Sequence, residues 1–190
     1  LLFALTALLV VPSAASAQRP VQRLTVVDLN GTPARTVARM EAAVVWQAKQ
    51  LRRYWQTPRV TFVRSGGWPL FLVPVHAMLT SGDAGYHGQL NSVPYAVVSS
   101  MGDALTVTFS HEIMEMLVDP LGNWVWTPGS RSILVEVCDP VDNDTFTAPN
   151  GVEVADAVTP QWYVPYSRGP WDLANILGRP GQVQGQLEFL

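Results

Sequence analysis

The stretch spanning residues 33–55 constrains this chain more than any other. Apolar residues recur at Val37, Met40, Val44, Ala48, Leu51 and Trp55, in steps of three and four, which predicts one long amphipathic helix. Thr32 offers an N-cap hydroxyl and Pro33 suits the first helical position. Before it, residues 21–29 are rich in branched side chains and stop at Asn30-Gly31, a strand and its turn. After it, residues 59–63 and 70–76 read as two further strands parted by Ser65-Gly66-Gly67. Gly82, Gly85 and Gly88 predict a loop, and residues 94–98 a strand whose leading Pro94 suits a sheet edge. A second helix is expected over 104–118, with Asp103 as its cap and Asp119-Pro120 as its end, because a residue before proline is pushed out of the α region. Residues 124–126 and 133–137 read as a hairpin around 127–130, and the proline-punctuated remainder as loop. The expected class is α+β: a mixed β-sheet with a long amphipathic helix and a second, motif-bearing helix, then a hairpin and a loop-rich C-terminal part.

A length of 190 residues, 48% hydrophobic and 14% charged, suits one domain. The net charge of -3 and the dispersed basic residues, with Lys49 the single lysine, leave no electrostatic footprint for nucleic acid. Cys138 is the one cysteine, so no intrachain disulfide is available. Residues 1–17 form an apolar run that breaks at Pro12 and ends in Ala15-Ser16-Ala17, the pattern of a signal peptide lacking its basic n-region, with cleavage expected after Ala17. That run is too short to span a bilayer, so the expected product is a single domain over 18–190, secreted or periplasmic, with no membrane association after cleavage.

The chemistry sits in Ser110-His111-Glu112-Ile113-Met114-Glu115-Met116-Leu117-Val118-Asp119-Pro120. On a helix His111, Glu115 and Asp119 follow at i, i+4 and i+8 and share one side, with Glu112 adjacent. The surrounding residues are apolar, so this helix should pack inside the domain, where an unpaired charge costs several kcal/mol. A divalent metal offsets that cost, since an imidazole and a carboxylate one turn apart can meet on one ion.

This pattern resembles the zincin metallopeptidases, whose H-E-x-x-H helix supplies two zinc-binding histidines and a glutamate base. Here Glu115 stands in the second histidine's place. The resemblance implies His111 and Glu115 as metal ligands and Glu112 as the general base that activates a water for peptide-bond hydrolysis. Zinc is the first expectation, and the carboxylate ligand, which makes the site more anionic and weakens Lewis acidity, admits calcium or manganese as alternatives. The order of strand, long helix, three strands and motif helix over residues 21–140 is also zincin-like, with 94–98 as the antiparallel edge that would pair with an extended peptide. The chain further resembles secreted proteins carrying H-E-x-x-E-x-x-x-D/N-P before a short acidic, Cys-containing strand, including the plant Exordium-like (phosphate-induced) family. The matching residues here are 111–120 and Glu136-Val137-Cys138-Asp139-Pro140. Uncharacterised bacterial and phage proteins look similar through residues 155–162.

Catalytic zinc usually takes three protein ligands. Glu136, 21 residues after Glu115, is the first choice for the third, as a downstream glutamate is in the gluzincin branch. Asp119 is the second choice, being about 12 Å along the helix from His111 unless the helix end bends. The oxygen-rich 139–144 segment lacks the glycine and glutamate placement of an EF-hand loop. His87 in the glycine loop, Tyr95 on the 94–98 strand, and Tyr163 or Tyr166 are candidate substrate-binding residues; His76 reads as a strand end. Trp124, Trp126, Trp162 and Trp171 either line a groove for peptide or glycan or pack in the core. Two functions follow. One is a zinc peptidase-like hydrolase acting on a peptide or protein substrate. The other is a non-catalytic secreted protein in which the same residues hold a structural metal and the tryptophan-rich loops bind a cell-wall or extracellular partner. A carboxylate pair from Glu112 and Glu115 for glycoside hydrolysis fits poorly, because both lie on the same side of one helix.

Overall fold

The apolar stripe of the long helix becomes buried surface. In a computed structural model, which describes residues 20–77, 84–99, 105–127, 132–142, 144–164 and 166–178, helix α1 (Ala34–Trp55) buries Met40, Ala43, Val44, Gln47, Ala48 and Leu51, the i, i+3, i+4, i+7, i+8, i+11 series of one helical face. Its start differs from expectation. Pro33 occupies the N-cap with no side-chain cap bond, the Thr36 N–H turns back to the Pro33 carbonyl (2.7 Å), and Thr32 Oγ1 accepts from Asn30 Nδ2 (3.4 Å).

Five strands form one mixed sheet: β1 (Val21–Asp28), β2 (Arg59–Phe62), β3 (Trp68–Val73), β4 (Gly85–Leu90) and β5 (Val93–Ser99), in the order β2-β1-β3-β5-β4. All neighbours run parallel except β4, which pairs antiparallel with β5. Leu70 pairs with Ala96 and Leu72 with Val98, so these four share a face, and each is wholly buried. Phe71 and Val97, on the opposite face, are only half-buried.

Two expectations about this sheet are corrected. Residues 94–98 are an inner strand: β5 lies between β3 and β4. Pro94 is tolerated because the ladder to β3 begins only at Ala96, so its missing N–H removes no rung there. The edge belongs to β4, in the segment expected to be a glycine loop, so four strands separate α1 from the second helix instead of three. Gly85 is there for close approach: a Cβ at that position would lie 2.7 Å from both Glu112 Oε1 and Thr108 Cγ2. The 70–76 strand also starts earlier and ends at Val73, before Pro74.

Helix α2 (Leu105–Val118) buries side chains all round, including Phe109, Ile113, Met114, Met116 and Leu117. It packs against β4, β5, α1 and the strand at residues 153–155. It ends as expected, with Asp119 N–H closing the last turn on Glu115 O (2.8 Å). The hairpin is shorter than expected, β6 (Val125–Trp126) against β7 (Ile133–Leu134), and Glu136 falls beyond it, where its N–H turns back to the Leu134 carbonyl (3.0 Å). The C-terminal part, expected as loop, contains a further hairpin, β8 (Thr145–Thr147) with β9 (Glu153–Ala155). It is tied to the helices by Gln47 Nε2 donating to Ala155 O (2.7 Å) and by Ala155 N–H donating to Ser110 Oγ (2.8 Å). The expected export segment 1–17, the expected Asp103 cap, Gly82 and residues 128–131 at the expected turn lie outside the described residues. No described helix is long and apolar enough to cross a membrane.

Candidate metal centre

Three parts of the chain bring ionisable groups to one place. Helix α2 carries His111, Glu112 and Glu115, the last two buried. The edge strand β4 brings His87, and the segment after β7 brings Glu136 and Asp139, the latter opening a short 3-10 turn (Asp139–Val141).

Glu115 is the hub. Its Oε1 lies 3.2 Å from His111 Nε2 and its Oε2 3.6 Å from His87 Nδ1. Oε1 also accepts a hydrogen bond from Cys138 N–H (3.1 Å). On one side His111 Nε2 lies 3.2 Å from Asp139 Oδ1, and His111 Nδ1 3.7 Å from the exposed Asp142. On the other, His87 lies 3.8 Å from Glu112 and, through Nε2, 3.7 Å from Glu136 Oε2. Two groups of ligand-type atoms result, each with its atoms within 4.8 Å of one another: His111–Glu115–Asp139 and His87–Glu115–Glu136.

The charge balance is strained. Burial opposes a charge on every member, yet Glu115 is held well below the usual carboxylate range by His111 and His87. His87 is pushed up to about 11: burial works against its cation, but contacts with Glu112 and Glu115 and the charges of Glu115 and Glu136 outweigh it. His111 is raised in the same way by Glu115 and Asp139. Burial, then repulsion from Glu115, drives Glu136 up to about 9. Burial also raises Glu112 and Asp139. Both imidazoles and the Glu136 carboxyl are thus held toward their protonated forms around the ionised Glu115, and a cation would displace those protons. Two buried atoms in the cluster, His87 Nε2 and Glu136 Oε2, have no hydrogen-bond partner. A nitrogen-and-oxygen donor set with orphaned polar atoms fits a first-row divalent metal.

The residues singled out in the sequence divide as follows. His111, Glu112, Glu115 and Glu136 all enter the cluster, but Glu136 groups with His87, and Asp139 takes the place beside His111. Asp119 belongs to neither group. Its carboxylate accepts the Trp124 N–H and so holds the chain as it leaves α2. His87 is an element of the cluster, with a side chain 4% exposed, instead of a loop histidine over a cleft. Tyr95 lies outside the cluster, half-buried and edge-on to Tyr86. Tyr163 is buried among Trp55, Trp126 and Trp162, and its hydroxyl donates to Glu136 O (3.3 Å), so it braces the backbone of a cluster residue. Tyr166 is fully exposed. Cys138 is a buried thiol pushed far above its usual range, first by burial and then by the Glu115 charge. Of the tryptophans, Trp162 is a core residue while Trp124 is half exposed.

Two members, His87 and Asp139, were not placed in the cluster by the sequence, although the one was a candidate for substrate binding and the other lies in the oxygen-rich 139–144 segment. His87 lies 24 positions before His111 in a glycine-rich stretch, and only its strand register turns it inward. Asp139 left a fainter trace, as the second carboxylate of Glu136-x-x-Asp139, three apart and next to Cys138. No protein-family model, curated protein or solved structure matches the chain.

Proposed function

We propose that this chain is a zinc-dependent hydrolase of zincin-like type, exported from the cell and acting on peptide or protein substrates. The observation that carries this reading is the convergence of His111, Glu115 and Asp139 on one point of a buried helix, with Glu112 beside them. An antiparallel edge strand running past that helix supports the zincin-like assignment and offers unpaired backbone to an extended peptide.

In this reading His111, Glu115 and Asp139 hold the ion, which when bound supplies Lewis acidity toward a carbonyl and an attacking water. Cys138 N–H orients Glu115, and the Asp139 turn fixes its own carboxylate against His111. Glu112 takes the proton from the attacking water and returns it to the leaving amine. His87, against Glu112, holds that carboxylate in place under Gly85.

One observation favours the non-catalytic alternative, a metal-stabilised extracellular binding protein. Strand β4 covers Glu112 so closely that Gly85 has no room for a Cβ, which suits a closed structural site. A single experiment separates the two: metal content by elemental mass spectrometry with peptidase assays, for residues 18–190 and for Glu112→Gln. Hydrolysis lost with metal retained supports the hydrolase. Hydrolysis retained in Glu112→Gln defeats this mechanism, and metal without any hydrolysis in either protein favours the structural role.

A further inference from the structure

We propose that the cluster is a two-ion centre, with a second divalent cation held by His87, Glu115 and Glu136, and Glu115 bridging it to the ion at His111 and Asp139. The inference rests on the reading that His111, Glu115 and Asp139 bind a metal, and it adds a site that the helix motif does not contain.

The argument begins with Glu115. Its two oxygens serve different histidines: Oε1 faces His111 Nε2 at 3.2 Å and Oε2 faces His87 Nδ1 at 3.6 Å, and a single ring nitrogen of His87 lies within 4.8 Å of a carboxylate oxygen of both Glu115 and Glu136. A carboxylate turned this way presents one oxygen to each of two cations, as bridging carboxylates do in two-metal hydrolytic sites. The second group then stands on its own atoms. The His87 side chain is 4% exposed, and its Nε2 points at Glu136 Oε2 from 3.7 Å. Both atoms are buried with no hydrogen-bond partner. A buried polar atom without a partner is costly, more so when charged, and here two such atoms face each other across a gap a cation would close.

Charge points the same way. Glu112, Glu115, Glu136 and Asp139 face two imidazoles. Two divalent ions balance four carboxylates with both rings neutral, the form in which imidazole binds metal. One ion leaves two negative charges in a buried space. The donor set, one imidazole and two carboxylates for each ion, suits zinc or manganese better than calcium, which prefers all-oxygen surroundings. The second site also joins the edge strand to the helix, because His87 belongs to β4 and Glu115 to α2.

The test uses the full mature chain, purified without chelators and dialysed against excess Zn2+, with bound metal counted by elemental mass spectrometry. Two ions per chain are expected, falling to one in His87→Gln and to one in Asp139→Asn. One ion in the wild type, unchanged by His87→Gln, overturns the second site and leaves the hydrolase proposal standing. One ion that is lost in His87→Gln overturns the bridged pair and moves the single metal to β4. No metal in the wild type overturns both readings. Should His87→Gln fail to fold by circular dichroism, Glu136→Gln replaces it. The wild type loaded with two equivalents of Mn2+ gives an independent readout by electron paramagnetic resonance. A spin-coupled spectrum is expected, and two uncoupled six-line signals overturn the bridge.

Discussion

The protein buries acidic side chains in two regions and treats them differently. Around Asp156 and Asp172 the backbone does the work. Asp156 Oδ1 accepts from the N–H groups of Ala157, Leu173 and Ala174, and the Asp172 carboxylate from those of Ile176 and Leu177, at 2.7–3.1 Å. These two aspartates hold the C-terminal segment to the body of the domain. Around Glu115 the partners are imidazoles at 3.2–3.8 Å. Among the described residues the backbone bond to this cluster is the one from Cys138 N–H. Acids held mainly by backbone donors serve structure, although Asp156 Oδ2 is itself buried without a hydrogen-bond partner. Acids that face buried imidazole nitrogens across gaps, with a single backbone donor among the described residues, suit the cation proposed above.

The contrast can be broken most decisively at Glu112. If it is the base, Glu112→Gln lowers the peptidase rate by about 100-fold or more with metal content unchanged. Asp172→Asn should leave the rate constant per folded molecule where it was. Chelation comes next. Removing metal from the wild type should lower the melting temperature, because an ion present at about 1,000 times its Kd stabilises by about 4 kcal/mol. An unchanged melting temperature would place the cluster with the structural acids. Asp172→Ala should cost about 1–3 kcal/mol in urea unfolding by stripping two backbone donors of their acceptor, while metal stoichiometry stays constant. Loss of metal in that variant would tie the two regions together and blur the comparison.

A smaller effect sharpens the difference by pH. Burial, followed by the neighbouring Asp172 charge, drives the Asp156 carboxyl up to about 8, against the donated N–H bonds that pull it down. Between the ordinary aspartate range near pH 4 and about pH 8 the folded state therefore binds a proton that the unfolded chain has lost. Stability should fall as pH rises across that window, by at most about 1.4 kcal/mol per pH unit for this one group, and level off above it. Asp156→Asn should flatten that slope, as measured by melting in metal-free protein. The smallest expected effect is at Asp119. Asp119→Ala removes the acceptor for Trp124 N–H and should cost about 1 kcal/mol with no change in bound metal. A lost ion there would return Asp119 to the ligand set.

Much of the architecture was legible because it is written locally. The stripe from Val37 to Trp55 repeats at helical spacing, the second helix is an apolar run buried all round, and Asp119-Pro120 stops it where a pre-proline residue must. The edge was misread because Pro94 and the three glycines were judged by their own conformational habits. Pro94 escapes penalty through the stagger of β5 on β3, and Gly85 is small because Glu112 lies against it. Neither cause is visible within a few residues of either position.

The site divides along the same line. The sequence by itself determined that His111, Glu112 and Glu115 share one apolar helix, since side-chain direction on a helix follows from its 3.6-residue repeat. Only the tertiary structure decided that His87 joins them from β4, that Glu136 and Asp139 part to opposite sides of Glu115, and that Asp119 leaves the group to hold Trp124. A strand's inward face is set by the register it adopts against a distant neighbour. A loop carboxylate is placed by where its chain crosses the helix, and both are decided by packing between segments far apart in the chain.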